Sequence, residues 1–283
     1  MICVNQIGWY RNLFILPGEI YHAEKTVIYN GTANQFDILG TLKDWQDNIA
    51  KYAKNNSRLI LALACSFAAP LLNLLNEESG AIHLVGNSSL GKTTALQVAS
   101  SVWEASSYIK QWRMTSNALE VVASHYNDCM LPLDELAQAD SKSVADMVYM
   151  LANNQGKRRL RSEIILREAP RWRMLILSIG EIDLAAKILE NGKRAFAGLD
   201  VRFISVPAIC DQFMGIFEDL HGFRSGEELS RHLKEASNKY YGTAIRKYLE
   251  YLTKDRADII LLVKNWREGF KKQYLPETSV HNF

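Results

Sequence analysis

Residues 86–94, Gly-Asn-Ser-Ser-Leu-Gly-Lys-Thr-Thr, limit what this chain can fold into more than any other stretch. They fit the spacing G-x-x-x-x-G-K-[ST]. An apolar run, Ala81–Val85, precedes them, and a helical stretch, Ala95–Trp103, follows. Chemistry accounts for the spacing. Gly86 and Gly91 let the backbone fold back so that successive N–H groups of Asn87, Ser88, Ser89 and Leu90 face an anion. The helix starting near Lys92 adds the positive end of its dipole. Lys92 can reach β- and γ-phosphates, and the Thr93 hydroxyl, followed by Thr94, can ligate Mg2+. The competing reading is a glycine-rich turn with a chance lysine. The strand before and the helix after favour a phosphate loop, hence an α/β fold binding ATP.

Such a loop needs a parallel sheet around it, and the chain has room for one. Its 283 residues suggest one large domain, or one domain plus a smaller attachment, at roughly 100–200 residues per domain. Apolar residues at 48% and charged residues at 23% are ordinary for a globular protein, so disordered, collagenous and coiled-coil readings fall away. Cys3, Cys65, Cys129 and Cys210 form no CxxC pair, which supports neither a zinc site nor a disulfide framework and fits a reducing, cytoplasmic setting. The N-terminus lacks the pattern of a signal peptide. The most apolar run, Leu59–Leu75, is interrupted by Ser66, Pro70 and Asn73 and reads as a buried helix, so no membrane association is expected.

Along the chain, Phe14–Leu16 and Val27–Tyr29 predict two short strands, each ended by a turn signal. Thr41 with Asp44 predicts a capping box opening a helix to about Tyr52, and an apolar helix spans 58–76. Strands are expected at Tyr108–Trp112, Cys129–Leu133, Arg173–Leu177 and Val201–Val206, with helices at Asn117–Tyr126 and Ser141–Leu151 between them. This alternation predicts a mostly parallel sheet between helices. Beyond Pro207 the spacing of Leu229, Leu233, Ala236 and Tyr240 predicts a helical C-terminal part.

Three further features bear on chemistry. The run Cys129–Leu133 ends in Asp134-Glu135, which places two carboxylates at the sheet edge beside the loop. Asp134 would hold Mg2+, and Glu135 would deprotonate the attacking water. Pro132 counts against a central strand, because proline lacks a ladder donor. Ser178, read as the end of the next strand, could contact phosphate or water, or be a plain strand-end serine. Arg202 at the start of the last strand, with Arg194 as a rival, could act as an arginine finger on a neighbouring subunit's site. Residues 151–173 carry seven basic residues, among them Lys157, Arg158, Arg159 and Arg161, against Glu163 and Glu168, a net +5 in a chain of net +2. A basic hairpin here suits phosphate-backbone contact, although a solvated charged loop has the same composition. His83 and His125 stand alone, and Trp103, Trp112 and Trp172 suit packing better than base stacking.

The segments HLVGNSSLGKTTALQVASSVW, MTSNALEVVASHYND, LPLDELAQAD, YMLANNQGKRRLR, WRMLILSIGE and AGLDVRFISVPA occur in order, with ILGTLKDW and ACSFAAPLLNLL upstream and YYGTAIRKYLE downstream. Together they resemble the family called domain of unknown function 927, over nearly the whole chain. That resemblance implies an AAA+ type P-loop ATPase of prophages and other mobile genetic elements, similar to minichromosome-maintenance helicases and forming hexameric rings. It implies Lys92 and Thr93 as Walker A residues, Asp134 and Glu135 as Walker B, Ser178 on the sensor strand, Arg202 as the trans arginine and 153–172 as a hairpin facing DNA. A small strand/helix region (1–56), an ATPase core (57–210) and a helical lid (211–283) follow from it, with the lid expected to be incomplete and Arg246 a weak candidate for a second sensor arginine. The expected function is an ATP-dependent motor on single-stranded or forked DNA. The alternatives are a nucleotide-switched scaffold that leaves DNA intact and, further off, a phosphoryl transferase acting on a small substrate.

Overall fold

In the computed structural model, residues 2–22, 26–33, 35–156, 159–160, 166–167, 169–192, 197–210 and 215–275 are described. The N-terminal region holds five short strands where two were expected. β1 (Ile2–Val4) pairs in parallel with β5 (Val27–Tyr29), while β2 (Gly8–Tyr10), β3 (Leu13–Leu16) and β4 (Glu19–Tyr21) form an antiparallel sheet. The capping box forms as expected: Thr41 caps α1 (Leu42–Asn48), and Asp44 returns the bond to the Thr41 backbone. This helix stops short of Tyr52, and a single 3-10 turn, Ala50–Ala53, continues it. The apolar helix is two helices, α2 (Ser57–Ala68) and α3 (Leu71–Leu75), because Pro70 cannot donate within a continuous helix and instead starts the second one.

A five-stranded parallel sheet is the centre of the molecule. It is built from β6 (Gly80–Val85), β7 (Lys110–Gln111), β8 (Met130–Asp134), β11 (Leu175–Gly180) and β12 (Phe203–Pro207), in the order β12-β6-β11-β8-β7. The short strands β9 (Arg159–Leu160) and β10 (Leu166–Arg167) form a separate antiparallel pair. β8 and β11 are buried along almost their whole length, which explains why they read as unbroken apolar runs and not as alternation. Helices α4 (Lys92–Ser101), α5 (Ser116–Ser124), α6 (Val144–Ala152), α7 (Leu184–Leu189) and α8 (Ala197–Asp200) flank the sheet, with α2 and α4 packed on β8 and β11. The C-terminal part is helical as expected: α9 (Gly226–Ser237), α10 (Thr243–Lys254) and α11 (Arg256–Tyr274). Trp266, Phe270 and Tyr274 of α11 remain exposed. Trp103, Trp112 and Trp172 are buried, as packing residues should be.

Pro132 does sit inside the sheet, and the ladder shows why it is tolerated. Trp112 N donates to Asp134 O at 3.0 Å, so residues of that parity face β7. With Lys110 opposite Leu133, the missing Pro132 donor would have served the Tyr108 carbonyl. That carbonyl instead accepts the Tyr126 hydroxyl at 2.5 Å. The strand expected over Tyr108–Trp112 is accordingly only two residues long, preceded by a 3-10 turn at Ser106–Tyr108.

Candidate functional site

All five strands run the same way, so their C-terminal ends share one rim. β6 delivers Val85 to this rim, level with Gly180 of β11 and Pro207 of β12. The chain then turns through 86–91 into α4, and Gly86 N donates to Gly180 O. Gly91 has φ +92, and a Cβ there would meet Ile216 at 2.9 Å, so glycine is required for both conformation and space. Two strands away, β8 delivers Asp134 to the same rim, and Glu135 follows in a left-handed conformation (φ 59, ψ 64), an uncommon state for a non-glycine residue.

An open cleft of about 790 Å³ lies on this rim. Residues Ser88–Thr94 form its floor, Glu135, Ile179 and Glu181 one side, and the start of α9 with Gly215 and Phe217 the other. The loop, Lys92, Thr93 and Glu135 thus line one space, as the sequence led us to expect, with Asp134 at the tip of the strand that leads into it. Lys92 Nζ folds back onto the loop, donating to Gly86 O at 2.7 Å and Asn87 O at 2.6 Å. Burial pushes its ammonium below the ordinary lysine range, against the pull of Glu181, then Glu135 and Asp134. Among the described residues Asp134 Oδ1, which is buried, has no hydrogen-bond partner, while Oδ2 receives a long contact from Gln111 at 3.5 Å. A buried, unpaired carboxylate oxygen beside a hydroxyl-bearing phosphate loop suits Mg2+, which usually takes one or two carboxylates plus substrate phosphates. Among the described residues no three His, Cys, Asp or Glu side chains cluster as a metal site by themselves.

The structure revises Ser178. β11 runs two residues past it, so Ser178 is not the strand tip. Its side chain is wholly buried and fully engaged: Trp112 Nε1 donates to its Oγ at 2.9 Å, and the hydroxyl bonds His83 Nδ1 at 2.9 Å. His83 Nε2 in turn bonds the Ile182 carbonyl at 3.0 Å. Burial lowers the His83 pKa to about 4, so the ring is neutral, and with Nε2–H donating to Ile182 the Nδ1 atom accepts from Ser178. The polar side chain that this strand end does present to the cleft is Glu181, which accepts a hydrogen bond from Ser88 of the loop.

Arg202 lies at the opposite rim. It precedes β12, and its carbonyl pairs with Ala81 N near the start of β6. Its guanidinium bonds Gly198 O at 3.2 Å and stands 3.9 Å from Glu78. It therefore serves no role in its own chain's cleft. Arg246 is also remote from the cleft. It bonds Glu19 at 2.8 Å, Gly242 O at 2.8 Å and Phe36 O at 2.6 Å, joining α10 to the N-terminal region. Lys157, Arg158, Arg161 and Arg194 lie outside the described residues. The backbone of Arg159 falls in β9, opposite Arg167 of β10, so the basic segment does contain a hairpin. Its root is fixed by Gly156 N to Pro170 O and Trp172 N to Asn154 O.

Reasoning from sequence missed Glu181 and the α9 wall, where Glu227, Ser230 and Lys234 reach the cleft. Glu181 was within reach, since the apolar run continues through Ile179 and Gly180 before it. The α9 residues carried no signal, because helical spacing marks only the face that packs.

Comparison with known proteins is consistent with this geometry. The chain is similar to a solved structure described as the active helicase Cch of SCCmec type IV, at 19% identity and TM-score 0.75, covering 98% of this chain and 51% of that one. It thus spans about half the length of that relative, and the likeness establishes the fold. A ligand-free structure of the NrS-1 C-terminal region (10% identity, 95% of this chain and 67% of that one, TM-score 0.39) and ATP-bound NtrX from Brucella abortus (16%, 54% and 36%, TM-score 0.33) are too distant to add to it. No protein of curated function matches the sequence. The family model described as domain of unknown function (DUF927) matches residues 1–167, and the chain belongs to that family.

Proposed function

We propose that this chain is a P-loop ATPase of AAA+ type that binds ATP with Mg2+ in the cleft, hydrolyses it, and uses the cycle to move DNA in the replication of a mobile genetic element. The observation that carries this reading is the shared cleft: the Lys92 loop and the Asp134-Glu135 pair reach one rim, with β11 between them. The helicase likeness in fold favours the same conclusion.

The loop N–H groups and Lys92 bind and neutralise the phosphates. Asp134 and Thr93 would hold Mg2+, which supplies further positive charge against the transferring phosphoryl oxygens. Glu135 takes the proton of the attacking water. Arg202 lies away from its own cleft, which suits a charge offered to a neighbouring copy in a hexameric ring. The β9–β10 hairpin, with Lys157, Arg158, Arg159 and Arg161, would grip the phosphate backbone of single-stranded or forked DNA.

Steady-state ATP hydrolysis with and without single-stranded DNA tests the reading. Wild type should turn over ATP faster with DNA. Glu135→Gln should keep ATP binding and lose turnover by about 100-fold or more. Arg202→Ala should do likewise, and a mixed oligomer with wild type should recover part of the activity. A wild-type protein that ignores DNA and leaves a forked duplex intact, yet binds ATP and oligomerises, would be a nucleotide-switched scaffold.

A further inference from the structure

We infer that Glu181 sets the preference of the cleft between nucleotides of different phosphate number: it holds the phosphate loop through Ser88 and opposes the added charge of a third phosphate. This rests on the cleft being the nucleotide site. Glu181 follows the last residue of β11, the strand that lies between β6 and β8. Gly180, just before it, is level with Val85, where the loop begins. The one other residue that could present a polar side chain near this strand end does not, since Ser178 is consumed by His83 and Trp112, and Ile179, which lines the cleft, is apolar. Glu181 is thus the polar side chain that the end of the central strand presents to the cleft.

Two contacts shape the loop around it. Ser88, whose backbone belongs to the anion-facing part of the loop, donates its hydroxyl to Glu181. Lys92 is turned onto the Gly86 and Asn87 carbonyls, and Glu181 is the carboxylate that most favours its charge, ahead of Glu135 and Asp134. An entering polyphosphate must draw Lys92 away from those carbonyls and bring anionic oxygens toward Glu181. A carboxylate at that position repels the incoming charge, and repels four charges more than three. Binding of ATP is therefore penalised relative to ADP, and neutralising Glu181 relieves ATP more than ADP.

The test is calorimetric binding of ATP and of ADP to the full chain in magnesium-free buffer, where affinity is read without hydrolysis. Glu181→Gln keeps the acceptor for Ser88 and removes the charge. It should tighten ATP about tenfold and ADP about five- to sixfold, shifting their ratio about twofold. Ser88→Ala removes the tether but keeps the charge, and should leave the ratio at the wild-type value. If Glu181→Gln does not fold, Glu181→Ala makes the same charge change and carries the same expectation. An unchanged ratio in the neutral variant, or weaker ATP binding, overturns the assignment. Lys92→Ala separates this from the nucleotide reading. If it abolishes binding while the Glu181 ratio stays fixed, only the Glu181 role fails. If wild type binds neither nucleotide, or Lys92→Ala binds as wild type does, the cleft is not a nucleotide site and both readings fall.

Discussion

Single residues show how differently burial treats ionisable groups in this fold. His83 is enclosed in the sheet with a pKa lowered to about 4, mainly by burial. Its contribution to stability is full above its unfolded value of about 6.5 and is lost as pH falls toward 4, at most about 3 kcal/mol. Asp128 behaves oppositely. Burial raises its carboxyl to about 6 against hydrogen bonds from Trp9 N and the Asn73 and Asn127 side chains. Its stabilising effect is present at low pH and is lost as pH rises through about 6. The two slopes oppose each other between about pH 4 and 6, so urea midpoints of wild type should change little across that range. His83→Gln should leave a protein that weakens as pH rises, and Asp128→Asn one that weakens as pH falls. That Lys92, Asp134 and Glu135 share one rim was legible in the sequence, because the loop pattern after Val85 and the apolar run ending in Asp134-Glu135 each place side chains at the C-terminal end of a strand. Glu181, though within reach, was passed over because Ser178, two residues inside the strand, looks like a polar strand end until its hydroxyl is seen bonded to His83 and Trp112.

At the scale of elements, the strands of the central sheet were readable where burial on both faces produced apolar runs, as in β8 and β11, whereas the edge strand β12 reads as apolar although most of it is exposed. β7 was overread, since the aromatic residues of Tyr108–Trp112 are buried for packing around a two-residue strand. The Pro132 position is a case where the sequence warning was sound and the structure supplied the compensation. Tyr126→Phe should cost about 1–3 kcal/mol, because the Tyr108 carbonyl then faces a residue with no N–H to offer. Pro132→Val should recover part of that loss, and a double-mutant cycle on thermal unfolding measures the coupling. Thr41→Ala removes the cap of α1 and should cost about 1 kcal/mol, read by the same melts.

For the whole molecule, the N-terminal region was the least legible part. The pairing of β1 with β5 joins segments more than twenty residues apart, and no local pattern encodes such a partnership. The same region is tied to the rest of the chain by groups that look unremarkable in sequence. Arg246, read as a weak candidate for catalysis, is an anchor: its side chain is only 12% exposed and serves Glu19 and two backbone carbonyls. Arg246→Met should destabilise by about 1–2 kcal/mol, since it leaves the Phe36 carbonyl without its donor while Glu19, partly exposed, keeps the Tyr21 hydroxyl, and should leave ATP affinity unchanged. Urea unfolding and calorimetric titration check the two halves of that expectation.

The root of the basic hairpin is also part of this anchoring. Gln6 Nε2 donates to Arg171 O, Asn127 donates to Ile7 O at 2.8 Å, and the same Asn127 accepts from Arg173 N at 2.9 Å. Excising the first thirty residues would therefore remove the Gln6 and Ile7 tethers of the hairpin root along with the N-terminal strands, and shortened versions of this protein are best designed to keep the segment from Ile2 through Tyr29.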